Sequence, residues 1–104
     1  MVVYLLELMK PLESIGFGVI RLMEKRYWLT GGLKEAHRGQ GYGQFLFQSL
    51  VDLTPSKEVW VDILTTNGVG KYIYTKLGFK DVETKKNEHD QDIIIMRLNK
   101  LEGN

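Results

Sequence analysis

Glycine placement constrains this chain more than any other feature. Five of its eleven glycines fall between Gly31 and Gly43, where the hydrophobic period changes. Ahead of them, Val2 to Met9 and Ile15 to Met23 are β-branched and aliphatic runs separated by Lys10-Pro11-Leu12-Glu13-Ser14, which predicts two antiparallel strands and a turn. Tyr27 to Thr30 begins a third strand. The paired Gly31-Gly32 that follows, in an extended segment reaching Ala36, predicts a bulge or a close backbone approach. Behind the cluster, Tyr42, Phe45, Leu46, Ser49, Leu50 and Leu53 recur at helical spacing until Pro55 ends the pattern.

Val59 to Leu64 then reads as a short apolar strand of the kind buried on both faces, so strand, helix and strand form a parallel crossover. A second helix begins near Thr66 or Asn67, with Val69, Ile73 and Leu77 on one face and Gly78 just past its end. Phe79 to Thr84 and Ile93 to Leu98 bracket a polar stretch, Lys85 to Asp90, and predict a closing hairpin. The expected class is α/β: a mixed sheet with antiparallel N-terminal strands, a parallel crossover, two helices and a C-terminal hairpin, in one domain over residues 1–104.

Composition removes several functions. With 14 Lys+Arg against 13 Asp+Glu, the chain lacks the footprint of a protein that holds nucleic acid through its phosphates. Without cysteine it forms no disulfide, no Cys-ligated zinc site and no acyl-thiolate intermediate. No run of 18 uninterrupted apolar residues predicts a membrane span, and the N-terminus lacks the basic segment of a signal peptide, so the expected location is the cytoplasm.

The chemistry concentrates in Arg38-Gly39-Gln40-Gly41-Tyr42-Gly43, which leaves a strand and opens a helix. Glycines at alternate positions let the backbone turn tightly and approach a ligand, and the first N–H groups of the helix converge on one point. That is an anion site, with pyrophosphate its natural guest. No Lys-Ser/Thr follows, and the G-x-G-x-G spacing misses the dinucleotide fingerprint.

Arg38-x-x-Gly41-x-Gly43 resembles the Arg/Gln-x-x-Gly-x-Gly/Ala signature of the GNAT superfamily of N-acetyltransferases. Asn67-Gly-Val-Gly-Lys-Tyr-Ile-Tyr74-Thr-Lys-Leu-Gly78-Phe79 is similar to that family's second motif, an Asn seven residues before a Tyr that is followed by Lys-x-Gly-Phe. The resemblance covers about Ile15 to Leu98. It implies acetyl-coenzyme A as acyl donor and an amine as acceptor, joined by direct attack in a ternary complex. It further implies that Gly32 and Leu33 offer backbone groups to pantetheine where two parallel strands splay, that Arg38, Gly39, Gln40, Gly41, Tyr42 and Gly43 wrap the pyrophosphate, and that Asn67 binds pantetheine or caps its helix. Tyr74 would stand beside the thioester sulfur as general acid. A free backbone N–H at the Gly31-Gly32-Leu33 irregularity, that of Leu33, is the candidate oxyanion donor.

The general base is not evident. Histone-type members carry a Glu on the strand before the loop, where this chain has Tyr27-Trp28-Leu29; Glu24, Glu35 and Glu7 are the neighbouring carboxylates, and a water chain or an already neutral amine would also serve. The usual first strand and the two helices after it have no counterpart, so a second copy in a homodimer is expected to complete the acceptor side. Blander readings stand beside these: Tyr74 as an ordinary half-buried aromatic, Asn67 as an N-cap alone, His37 as a solvated loop residue, and His89-Asp90-Gln91-Asp92 as a turn, with no metal set expected. The alternative functions are a non-catalytic acyl-coenzyme A sensing module and an interaction subunit on the same scaffold.

Overall fold

A computed structural model describes residues 3–10, 13–33, 35 and 38–102 of the chain. Six strands and two helices follow in the order β1 (Val3–Lys10), β2 (Glu13–Met23), β3 (Arg26–Leu33), α1 (Tyr42–Leu53), β4 (Glu58–Leu64), α2 (Gly68–Leu77), β5 (Lys80–Lys86) and β6 (Asp92–Asn99), with a 3-10 turn over Lys100–Glu102. They form one mixed sheet of order β1-β2-β3-β4-β6-β5. His37, one of the loop residues considered above, lies outside the described residues.

The β2–β3 hairpin turns through Glu24 and Lys25, both at positive φ (50° and 67°), the two-residue turn whose twist matches that of the flanking strands. From there the register runs unbroken from Met23↔Arg26 to Gly16↔Leu33. The bulge expected at Gly31-Gly32 is therefore absent on this side. The close backbone approach, the other reading of that pair, is found at Gly31, where a Cβ would stand 2.7 Å from the Phe17 carbonyl oxygen; on β2, a Cβ on Gly18 would meet Leu50 Cδ1 of α1 at 2.8 Å. Irregularities fall instead between Leu8 and Met9 and between Asp81 and Glu83.

Both helices pack on one face of the sheet, over Ile20, Leu29, Val59, Val61, Ile63, Met96 and Leu98. The buried face of α1 is Leu46, Phe47, Leu50 and Val51, because the helix touches the sheet on one side and α2 on the other, where Phe47 meets Tyr74 edge-on at 5.1 Å. This rotates the expected stripe and leaves Phe45 60% and Leu53 58% exposed. Val69, expected on the inner face of α2, is 73% exposed at the helix start. Strand β4 is not buried on both faces throughout, since Asp62 and Leu64 are exposed. On the face without helices, Trp60, Ile93, Ile95 and Trp28 form a second cluster, and the Arg26 guanidinium stacks 4.0 Å from the Trp60 ring centre.

The hairpin of β5 and β6 begins and ends later than expected, with its tip at 87–91. Strand β5 is exposed at every residue, and its charged sequence KDVETKK suits a sheet edge that must not pair further.

Candidate active site

The site follows from how β3 and β4 separate. Their parallel ladder has a single register pair, Trp28↔Trp60. Hydrogen bonding alternates along β3 from the Met23↔Arg26 pair that closes the turn, so Arg26, Trp28, Thr30 and Gly32 bond toward β2, and the N–H groups of Leu29, Gly31 and Leu33 point toward β4. Beyond Leu29 no β4 pairing meets them. The Leu33 N–H thus faces the gap, as an oxyanion donor must, and the Leu33 carbonyl on the same side accepts from Arg38 Nε at 3.2 Å.

That bond, with Arg38 N–H donating to the Glu35 carbonyl at 3.2 Å, folds the loop back onto the end of β3. Gly39 (φ 77°) and Gly41 (φ 85°) take left-handed conformations that cost an L side chain about 1–2 kcal/mol. Gly41 is the N-cap of α1 and supplies no side chain, and the first turn of α1 holds no acidic residue. The positive end of the helix is open to an anion. Arg38, Gly39, Gly41 and Gly43 line a cavity of about 730 Å³ that runs along the starts of α1 and α2 and ends at Tyr74.

A second cavity, of about 340 Å³, lies beyond the gap and is lined by Thr30, Asp62, Leu64, Asn87, Gln91 and Ile93 among others. Gly31, Asn67 and Tyr74 line both, so these three residues mark where the cavities meet. Asn67 caps α2: its Oδ1 accepts from the Gly70 N–H at 2.9 Å, which leaves the amide Nδ2 for the cavities. The cap role does not exclude a ligand-facing one. Tyr74 is 8% exposed, held between Phe47 and Phe79. Burial first, and the Asp62 carboxylate second, push its phenol up to about 12. Such a phenol keeps its proton and has an O–H to donate.

Of the sequence-proposed carboxylates, Glu24 and Glu35 do not gather here, and the Glu7 side chain lies outside what the structure describes. Glu24 sits in the β2–β3 turn at the far end of β3, roughly 20 Å of strand from Gly31. Glu35 is exposed beside the anion loop and lines neither cavity. Glu7 holds the register position opposite Phe17 in β2. The carboxylate that does line the site is Asp62, the only one on either cavity among the described residues. It was hidden inside the apolar run Val59 to Leu64, and the signal was there: a single charge breaking an otherwise apolar strand.

No family model and no curated protein matches the chain. Solved structures do. The ribosomal-protein-S18-alanine N-acetyltransferase of Escherichia coli superposes with a TM-score of 0.81 at 20% identity, over 93% of this chain and 68% of that one. The Salmonella typhimurium protein yncA, crystallised with its cofactor acetyl-CoA, gives 0.80 at 18% over 92% and 64%. The GNAT-family acetyltransferase of Streptococcus pneumoniae gives 0.80 at 14% over 91% and 66%. The chain thus spans about two thirds of the length of these neighbours. It has the fold of the GNAT acetyltransferases, with a mixed sheet and two helices in the corresponding places.

Proposed function

We propose that this chain is an N-acetyltransferase that moves the acetyl group of acetyl-CoA onto an amine within a ternary complex. The observation that carries the reading is Tyr74: a buried phenol that keeps its proton at the meeting point of two cavities, with Asp62 on the acceptor side. Acetyl-CoA would lie in the larger cavity, its pyrophosphate on Arg38 and the uncapped start of α1, its pantetheine between Gly32, Leu33 and Asn67.

In this scheme the amine nitrogen attacks the thioester carbon from the smaller cavity. The carbonyl oxygen gains negative charge and is met by the Leu33 N–H. As the C–S bond breaks, the sulfur takes the Tyr74 proton, and the phenol is restored from solvent after coenzyme A leaves. Asp62, directly or through one water, receives the proton the amine gives up. No covalent enzyme intermediate is needed, in keeping with a chain that has no cysteine.

Titration calorimetry with acetyl-CoA, followed by an amine panel, tests the reading. Micromolar binding, turnover with at least one amine, and loss of turnover but not of binding in Tyr74→Phe are expected. A folded protein that binds acetyl-CoA and acetylates nothing would leave a sensing module; one that binds none would leave an interaction subunit.

A further inference from the structure

The two edges of the sheet are built differently. β5 closes one edge with the charged sequence KDVETKK and a register shift between Asp81 and Glu83, two devices that discourage further pairing. β1 forms the other edge with the sequence VYLLELMK. The direction of its backbone groups follows from the register. Met23, Arg21, Val19 and Phe17 of β2 bond toward β3, so Ile20, Gly18 and Gly16 bond toward β1, where their partners are Tyr4, Leu6 and Leu8. The register shift after Leu8 passes over Ile15 of β2 and leaves the alternation of β1 intact. Val3, Leu5, Glu7 and Met9 therefore aim their backbone groups away from the sheet, and no strand among the described residues meets them. Of these four positions only Glu7 is charged.

A second observation borders the same edge. α1 lies over β2 and β3, where Leu46 approaches Gly18 and Gly31. α2 lies toward β4 and β5, where Gly70 approaches Ile63 and Lys71 pairs with Asp81 at 3.0 Å. The side of α1 turned away from α2 is thus the side toward β1. Phe45 and Leu53 stand roughly 120–160° around the helix from Phe47, the residue that meets Tyr74 of α2. Both are exposed, and with Ser49 between them they form one row at i, i+4 and i+8.

We infer that β1 pairs antiparallel with β1 of a second copy of this chain, across a two-fold axis normal to the sheet, so that the two sheets become one. The strand matches itself in one register. With the axis at Leu6, Leu5 stands opposite Glu7, Tyr4 opposite Leu8 and Val3 opposite Met9, and the outward groups of residues 3–9 in both copies form about eight hydrogen bonds. Glu7 then opposes an apolar residue. An axis at Glu7 would set two carboxylates directly opposite each other, and an axis at Leu5 would leave Leu8 and Met9 unpaired. One strand supplies both halves of this match, as a closed two-fold interface requires. The axis also puts both α1 helices on the same face, with the Phe45 and Leu53 rows turned toward each other across it. β2 and β3 separate β1 from the gap, so the pairing leaves both cavities open and does not depend on the acetyl-transfer reading.

Sedimentation equilibrium of the full chain from about 1 to 300 µM tests the association, and a dimer is expected. Leu5→Pro removes an outward N–H and no bond to β2, a place where an edge strand tolerates proline, and should weaken the dimer about tenfold or more with unchanged far-UV circular dichroism. Because the chain has no cysteine, Leu6→Cys carries a single thiol. Its counterpart across the axis stands at about 4.5–5.5 Å between Cβ atoms, so oxidised glutathione should bridge two copies of this variant. Tyr4→Cys and Leu8→Cys face each other's positions rather than their own and should not bridge. Hydrogen exchange at the Leu5 and Glu7 amides should slow as concentration rises. A monomer at every concentration, a dimer that Leu5→Pro leaves intact, or bridging that does not favour Leu6→Cys overturns the inference. So does slow exchange at Leu5 and Glu7 in a monomer, which would mean that the chain's own residues cover the edge. If Leu5→Pro does not fold, the bridging and exchange results decide.

Discussion

The Asp62 carboxylate on β4 lies near enough to the Tyr74 phenol on α2 to add to the effect of burial and hold that phenol at about 12. The two groups come from separate elements and meet because β3 and β4 part after Trp28↔Trp60, opening the sheet where both side chains reach. A protonated donor beside a carboxylate is what a proton-out, proton-in reaction requires.

Tyr74→Phe removes the donor and keeps the ring packed between Phe47 and Phe79. The kcat should fall by roughly 10²–10⁴-fold, with acetyl-CoA affinity changed by less than about threefold. The same variant carries a stability signature. An unfolded Tyr loses its proton near pH 10 and the folded one holds it to about 12, so folding gains the full contribution below pH 10 and loses it as pH rises from 10 to 12. Wild type should lose up to about 3 kcal/mol across that window that Tyr74→Phe does not lose, read from urea midpoints of the two proteins.

Asp62→Asn tests the other partner. Removing the charge should lower kcat/KM by roughly 10²-fold or more, with the loss concentrated in kcat, and should lower the Tyr74 pKa because one of its two causes is gone. Difference absorbance of tyrosinate between variant and wild type reads the second effect. An unchanged tyrosine titration together with full activity would leave Asp62 no role in proton transfer.

Much of this was legible in the sequence, for local reasons. The Gly39–Gly43 loop and both helix ends are written in neighbouring residues, and the Asn67 cap and the Gly78 stop landed where the motif put them. What was not legible depends on tertiary contact. The inward face of α1 was set by the position of α2, which turned Phe47 inward and Phe45 out. Glu24 and Glu35 are near the loop along the chain, but β3 carries the first to the opposite end of the sheet. Asp62 and Gln91 are distant from it in sequence and are brought to the cavity by the β4–β6 ladder.

Gly41→Ala isolates backbone conformation from bulk. A Cβ there meets nothing within 4 Å, so the only penalty is the left-handed φ of 85°. Stability should fall by about 1–2 kcal/mol in urea unfolding. If the loop relaxes out of that conformation, the α1 N–H groups lose their common aim and the Kd for acetyl-CoA should rise about tenfold or more, read by calorimetry.

The adjacent pair Gly31 and Gly32 should respond oppositely to alanine. At Gly31 a Cβ would stand 2.7 Å from the Phe17 carbonyl oxygen and 3.3 Å from the Gly18 Cα, both backbone atoms that no rotamer change can move. Relief requires β2 and β3 to shift where they carry the wall shared by both cavities, so Gly31→Ala should cost about 1–3 kcal/mol and weaken acetyl-CoA binding as well. At Gly32 the nearest contact is the Phe17 ring at 3.5 Å, an ordinary van der Waals distance, and the side chain would point to the face without helices. Gly32→Ala should therefore be neutral or stabilise by about 0.5 kcal/mol through the less flexible unfolded chain. Urea midpoints of the two variants measure the difference, and a larger loss at Gly32 than at Gly31 would contradict the β2–β3 register from which the direction of the Leu33 N–H follows.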